Sequence, residues 1–104
     1  MEISENQTSF AEIIAADKLT LACFSATWCG PCQTMKPVLE ALQSKYGDKL
    51  NILKVDVDQQ LDVTIAYQIM GVPSQILFRN GAVLWRQTDI MSLSDLEKVI
   101  AAHQ

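Results

Sequence analysis

A mostly apolar run from Lys18 to Ala26 leads straight into Trp28-Cys29-Gly30-Pro31-Cys32, and apolar side chains then recur at Met35, Val38, Leu39 and Leu42. The first stretch has the length and composition of a strand buried on both faces. The second has the spacing of one helical face. Pro31 fixes φ near the helical value and has no N–H to leave unpaired, so it suits a first turn. The pattern predicts a strand that turns at once into a helix with two cysteines at its N-terminus. Unpaired amide N–H groups and the helix dipole favour negative charge there. A thiolate gains over a thiol in such a place, and the thiolate is the reactive form. Two cysteines separated by two residues can close a small disulfide ring or open to a dithiol. The motif reads as a redox site.

The remaining elements follow from periodicity and turn chemistry. Ser9 with Glu12 reads as a capping box, opening a short helix through Phe10, Ile13 and Ile14. The helix behind the cysteines should run from about 29 to 46, kinked by Pro37 and ended by Gly47-Asp48. A second strand is expected over 51–57, so strand, helix and strand form a parallel βαβ unit. A further helix is expected over 60–68, with Leu61 and Ile65 on one face. Beyond Pro73, residues 75–79 and 82–87 flank Asn80-Gly81, a dipeptide that supplies the positive φ angles of a tight hairpin turn. Ser92 or Ser94 can cap a last helix that buries Leu93, Leu96, Val99 and Ile100. The expected fold class is α/β, a central mixed sheet with helices on both faces. With no linker or repeat in 104 residues, a single domain over 1–104 is expected.

Charge and cysteine usage narrow the function. Eight basic against twelve acidic side chains leave a net charge of -4. Nucleic acid and anionic membrane both call for a basic face, so neither is expected as a partner. Met1-Glu2-Ile3-Ser4-Glu5-Asn6 has neither the basic nor the apolar region of a signal peptide, and no apolar run approaches a membrane span. Three cysteines, two of them in one tight motif, suit a reducing compartment, and a cytoplasmic location is expected. A zinc site needs about four ligands. Only Cys23 and His103 remain to add to the pair, so no metal is expected.

Taken together these residues resemble the thioredoxin family over essentially the whole chain. Trp28-Cys29-Gly30-Pro31-Cys32 matches the family's active-site motif residue for residue. Phe24-Ser25-Ala26-Thr27 before it, Lys36-Pro37 after it and the strand from Lys54 to Asp58 match common variants. Gly71-Val72-Pro73-Ser74 resembles the family's cis-proline loop, and Phe78-Arg79-Asn80-Gly81 its hairpin. The resemblance implies a protein-disulfide reductase. Cys29, exposed at the helix N-terminus, would attack a partner's disulfide, and Cys32, one turn deeper, would resolve the mixed disulfide. Pro73 would lie against the two sulfurs, leaving the Val72 backbone to pair with an extended substrate peptide. Trp28, Val72, Pro73 and Ile90 would form an apolar contact patch, with Asp89 on its rim. No bound cofactor is implied. Disulfide-containing proteins would be the partners, a flavoprotein thioredoxin reductase using NADPH would recycle the protein, and a monomer is expected.

Two positions depart from the family. Six residues before the nucleophile the family carries a buried Asp taken to move the resolving thiol's proton; here it is Cys23. The family's Lys is kept as Lys54, so Cys23 and Lys54 form a candidate proton relay, against the simpler reading of Cys23 as a small core residue. A usual Gly beside the substrate groove is Asp89. Three functional classes therefore stand: a general disulfide reductase, a specialised isomerase or dedicated-partner reductase, and a binding subunit whose dithiol is idle. The retained Trp-Cys-Gly-Pro-Cys argues against the last, since a scaffold has no need of two reactive sulfurs.

Overall fold

A computed structural model of the protein describes residues 7–104. Strand β1 (Leu19–Ser25) runs into helix α2 (Gly30–Tyr46), and a 3-10 turn at Gly47–Lys49 leads to β2 (Leu50–Asp56). Helix α1 (Gln7–Ile14) precedes β1; α3 (Leu61–Ala66), β3 (Ser74–Arg79), β4 (Ala82–Thr88) and α4 (Leu93–Ala102) follow β2. The sheet order is β2-β1-β3-β4. β1 pairs with β2 in parallel and with β3 antiparallel, and β3 pairs with β4 antiparallel. The mixed sheet with helices on both faces is the architecture expected from the βαβ unit and the hairpin.

Both sheet faces bury side chains, which is why β1 has no polar alternation. Ala22 and Phe24 point toward α1 and α3, packing with Phe10, Ile14, Leu53, Val55, Val63, Ile76 and Phe78. Leu19, Leu21 and Cys23 point toward α2 and α4, packing with Met35, Leu39, Leu42, Leu77, Leu96 and Ile100. Each large side chain so buried stabilises the fold by about 1.5–3 kcal/mol over an exposed one. Asn80 and Gly81 adopt φ of 53° and 80°, the positive values a tight hairpin turn requires. Ser92, rather than Ser94, caps α4, its hydroxyl accepting the Asp95 N–H at 3.1 Å.

Three sequence expectations are corrected. Helix α1 begins at Gln7, so Ser9 falls inside it rather than at its cap; the Ser9 side chain, like the reading of residues 1–6, lies outside what is described. Helix α3 is shorter than 60–68, and Leu61 and Ile65 face outward at 58% and 72% exposure. Val63 takes the buried position instead, because so short a helix has one inward-facing turn. The third correction concerns Cys29 and belongs to the site.

Candidate active site

The site is built where β1 stops and α2 starts. Cys29 is the N-cap of α2, with extended backbone at φ -90° and ψ 108°, and its own N–H is held by the Ala26 carbonyl at 3.1 Å. Pro31 fills the first turn, where no N–H partner is needed. Cys29 and Cys32 are joined in a disulfide across a Cα–Cα distance of 5.3 Å. The Cys32 N–H donates to Cys29 Sγ at 3.1 Å. An amide aimed at one sulfur and not the other makes the pair chemically unequal: when the ring opens, charge is stabilised at Cys29.

Exposure does not separate the two sulfurs. Cys29 is 4% exposed and Cys32 5%, so the expectation of an exposed Cys29 is corrected for this oxidised form. Cys29 packs into the α1–α3 side of the core with Ala26 and Val57, and its sulfur is covered by the bond to Cys32. The accessible neighbour is Trp28, 68% exposed. Its indole is pinned by a hydrogen bond from Nε1 to Asp58 Oδ2 at 2.9 Å, from the loop after β2.

Across the ring lies the loop before β3. The Val72–Pro73 peptide bond is cis. Pro73 is buried and its carbonyl accepts the Asp89 N–H at 3.1 Å, so it forms a floor and not part of an exposed patch. Ser74 Oγ donates to the Gly71 carbonyl at 2.6 Å and lies 2.9 Å from Thr88 Oγ1, tying the loop to β4. The Val72 N–H and carbonyl make no hydrogen bond among the described residues. Trp28, Val57, Thr64, Ile69, Met70, Gly71 and Val72 line an open groove of about 190 Å³. Ile90 is 44% exposed, and the Asp89 carboxylate beside it is engaged by the Ile90 N–H at 2.7 Å.

The other side of the ring is a smaller, more enclosed cavity. Cys23 on β1 stands in register with Lys54 on β2 and Gln75 on β3, a row of three side chains across the sheet. The row and Cys32, with Met35, Leu39 and Pro73, line a cavity of about 80 Å³. Burial pushes the Cys23 thiol up to about 12, against the Lys54 ammonium, which lowers it. Its S–H points along its own strand, 3.9 Å from the Leu21 carbonyl. Among the described residues no group of three or more His, Cys, Asp or Glu could hold a metal ion.

A family model described as Thioredoxin matches residues 2–102. The chain belongs to the thioredoxin family. Thioredoxin of Staphylococcus saprophyticus is 38% identical over 85 residues, 82% of each chain. Thioredoxin Y, chloroplastic, of Oryza sativa is 41% identical over 75 residues, 71% of this chain but only 45% of that longer protein. Among solved structures, a mutant thioredoxin from Halobacterium salinarum superposes with a TM-score of 0.89 at 29% identity, over 99% of this chain and 88% of the other. With its Cys29–Cys32 disulfide, this thioredoxin-family chain is a thiol–disulfide oxidoreductase of the protein-disulfide reductase type.

Sequence reasoning grouped Trp28, Cys29, Gly30, Pro31, Cys32, Val72, Pro73, Asp89, Ile90, Cys23 and Lys54; Cys23, Cys32, Lys54 and Pro73 line one cavity, Trp28 and Val72 share a groove, and Asp89, next to Ile90, is hydrogen-bonded to Pro73. It missed Asp58, Met70 and Gln75. Asp58 offered no motif of its own. Met70, 92% exposed, sits at the groove mouth in a stretch without periodicity. Gln75 left one legible trace: a polar residue in an apolar strand, two places after Pro73.

Proposed function

We propose that this thioredoxin-family protein reduces partner disulfides in two ordered steps, Cys29 attacking and Cys32 resolving. The observation that carries the order is the Cys32 N–H donated to Cys29 Sγ, which stabilises a thiolate at Cys29 alone. The Cys29 thiolate attacks one sulfur of the partner disulfide and displaces the other as a thiolate. Cys32 then attacks Cys29 Sγ, closing the ring and releasing the second partner sulfur. Gly30 and Pro31 hold the ring geometry at the helix start. A substrate segment lies extended beside Val72, whose free N–H and carbonyl offer two main-chain hydrogen bonds. Trp28, Ile69 and Met70 give it an apolar seat, and beyond Pro73 lie Asp89, whose N–H donates to the Pro73 carbonyl, and exposed Ile90.

The spent disulfide returns to the dithiol through thioredoxin reductase, a flavoprotein using NADPH, the partner that family membership implies. The protein acts as one domain over residues 1–104, as a monomer. Its compartment is a reducing one, the cytoplasm first, with the chloroplastic relative marking the other setting in which this fold works. A dedicated-partner reductase is the second reading, favoured by Asp89 on the groove rim.

Insulin reduction separates these. Activity driven by dithiothreitol and also by NADPH with a general thioredoxin reductase supports the first reading. Activity with dithiothreitol alone supports the second. No activity in either refutes the proposal.

A further inference from the structure

Gln75 is 1% exposed, and its Oε1 has no hydrogen-bond partner among the described residues. Buried carbonyl oxygens are nearly always paired, so an orphan one marks a place where something else binds. The oxygen belongs to a side chain lining the cavity behind Cys32, whose volume of about 80 Å³ has room for more than one water. The register sets Gln75 beside Cys23, and Cys23 beside Lys54. Lys54 is exposed and borders two further open grooves, so the cavity reaches solvent at that end.

This arrangement bears on a step the ordered mechanism leaves incomplete. When Cys32 resolves the mixed disulfide, its S–H bond breaks and its sulfur bonds to Cys29 Sγ. The bond from Cys29 to the partner breaks, and the electron pair leaves on the partner's sulfur. The protein's dithiol is oxidised and the partner's disulfide reduced. The Cys32 proton must leave a residue only 5% exposed. Cys23 is no acceptor, because burial keeps its thiol protonated. Around the cavity the titratable or charged groups are Cys23 on β1, Lys36 on α2 and Lys54 on β2, with Glu40 and Asp56 in the adjoining grooves; β3 contributes only neutral Gln75.

We propose that Gln75 is a positioning residue for resolution: its Oε1 anchors water in the cavity, and that water accepts the Cys32 proton and hands it to solvent where the cavity opens beside Lys54. An amide oxygen cannot itself hold the proton at neutral pH, but it fixes the water that does. The partner's thiolate takes a proton from bulk water, so protons balance. The idea rests on the ordered mechanism above, and it replaces a Cys23 base with a Gln75-bound water.

The test is a double-phase reaction of the reduced protein with one equivalent of an aromatic disulfide that releases a coloured thiolate. The first equivalent reports attack by Cys29 and the second resolution by Cys32. Gln75→Leu should leave the first phase unchanged and slow the second about tenfold at pH 7, with the gap closing toward pH 9 as hydroxide takes the proton unaided. Gln75→Glu, which keeps the acceptor, should resolve at least as fast as the parent. A second phase unaltered by Gln75→Leu, both phases slowed alike at every pH, or Gln75→Glu as slow as Gln75→Leu would each overturn the assignment. If the parent shows no second phase, the ordered mechanism itself fails, which distinguishes the two failures.

Discussion

On the Cys29 side of the ring stand an exposed indole, an open apolar groove of about 190 Å³ and an unpaired Val72 backbone. On the Cys32 side lie a cavity of about 80 Å³ and a row of Cys23, Lys54 and Gln75. One side presents an open, largely apolar surface; the other a smaller cavity that meets solvent beside Lys54. The two cysteines are equally buried, at 4% and 5% exposure, so any difference between them comes from what faces each. Cys29 receives an amide N–H, and Cys32 faces a mostly apolar cavity in which Cys23 keeps its own proton. In this family member the front keeps the usual motif, while the cavity behind it carries Cys23 and neutral Gln75 beside Lys36 and Lys54.

Three measurements can break or sharpen that contrast. The largest effect should come from brief iodoacetamide treatment of the reduced protein. Mass mapping is expected to find Cys29 modified about a hundredfold faster than Cys32 or Cys23, because only Cys29 has a donated N–H at a helix terminus. Labelling of Cys32 first would reverse the two sides.

A smaller effect should appear in alkaline stability of the oxidised protein. The Cys23 thiol titrates from 9.0 in the unfolded reference up to about 12 when folded. Below pH 9 both states hold the proton and nothing changes. Between about 9 and 12 the unfolded chain has lost it while the folded chain keeps it, so stability falls as pH rises, by up to about 1.4 kcal/mol per pH unit from this group. Urea midpoints for the parent should drop faster over that range than those of Cys23→Ala. Parallel curves would mean that Cys23 is not held neutral by burial.

The smallest effect belongs to the groove rim. Asp89→Gly removes an exposed charge from a chain of net charge -4 and should shift relative rates toward acidic disulfide partners by about three- to fivefold, the size of one screened charge. Rates measured on matched acidic and basic partners check this, and unchanged ratios would leave Asp89 without a part in partner choice.

What the sequence disclosed depends on how local the determining physics is. Trp28 to Cys32 and Asn80-Gly81 could be read because turn and cap geometry is written within a few residues. The two-sided burial of β1 was legible from its unbroken apolar run. Helix α3 misled because a six-residue helix carries too few positions to show a face, so Leu61 and Ile65 suggested an inward stripe that Val63 occupies. The burial of Cys29 depends on the disulfide and on Val57 from another strand's end, which no local pattern reports. Gln75 could not be placed beside Cys23 and Cys32 until the register of β1 with β3 was known.

The contrast between the two sulfurs is tested most directly by trapping. Cys32→Ser and Cys29→Ser proteins, each reduced and mixed with a disulfide-bonded protein such as insulin, would be separated without reductant. Only Cys32→Ser should accumulate a covalent adduct through Cys29, since the mixed disulfide then has no intramolecular exit. Equal trapping by both variants, or trapping by Cys29→Ser alone, would contradict an attacking Cys29 and a resolving Cys32.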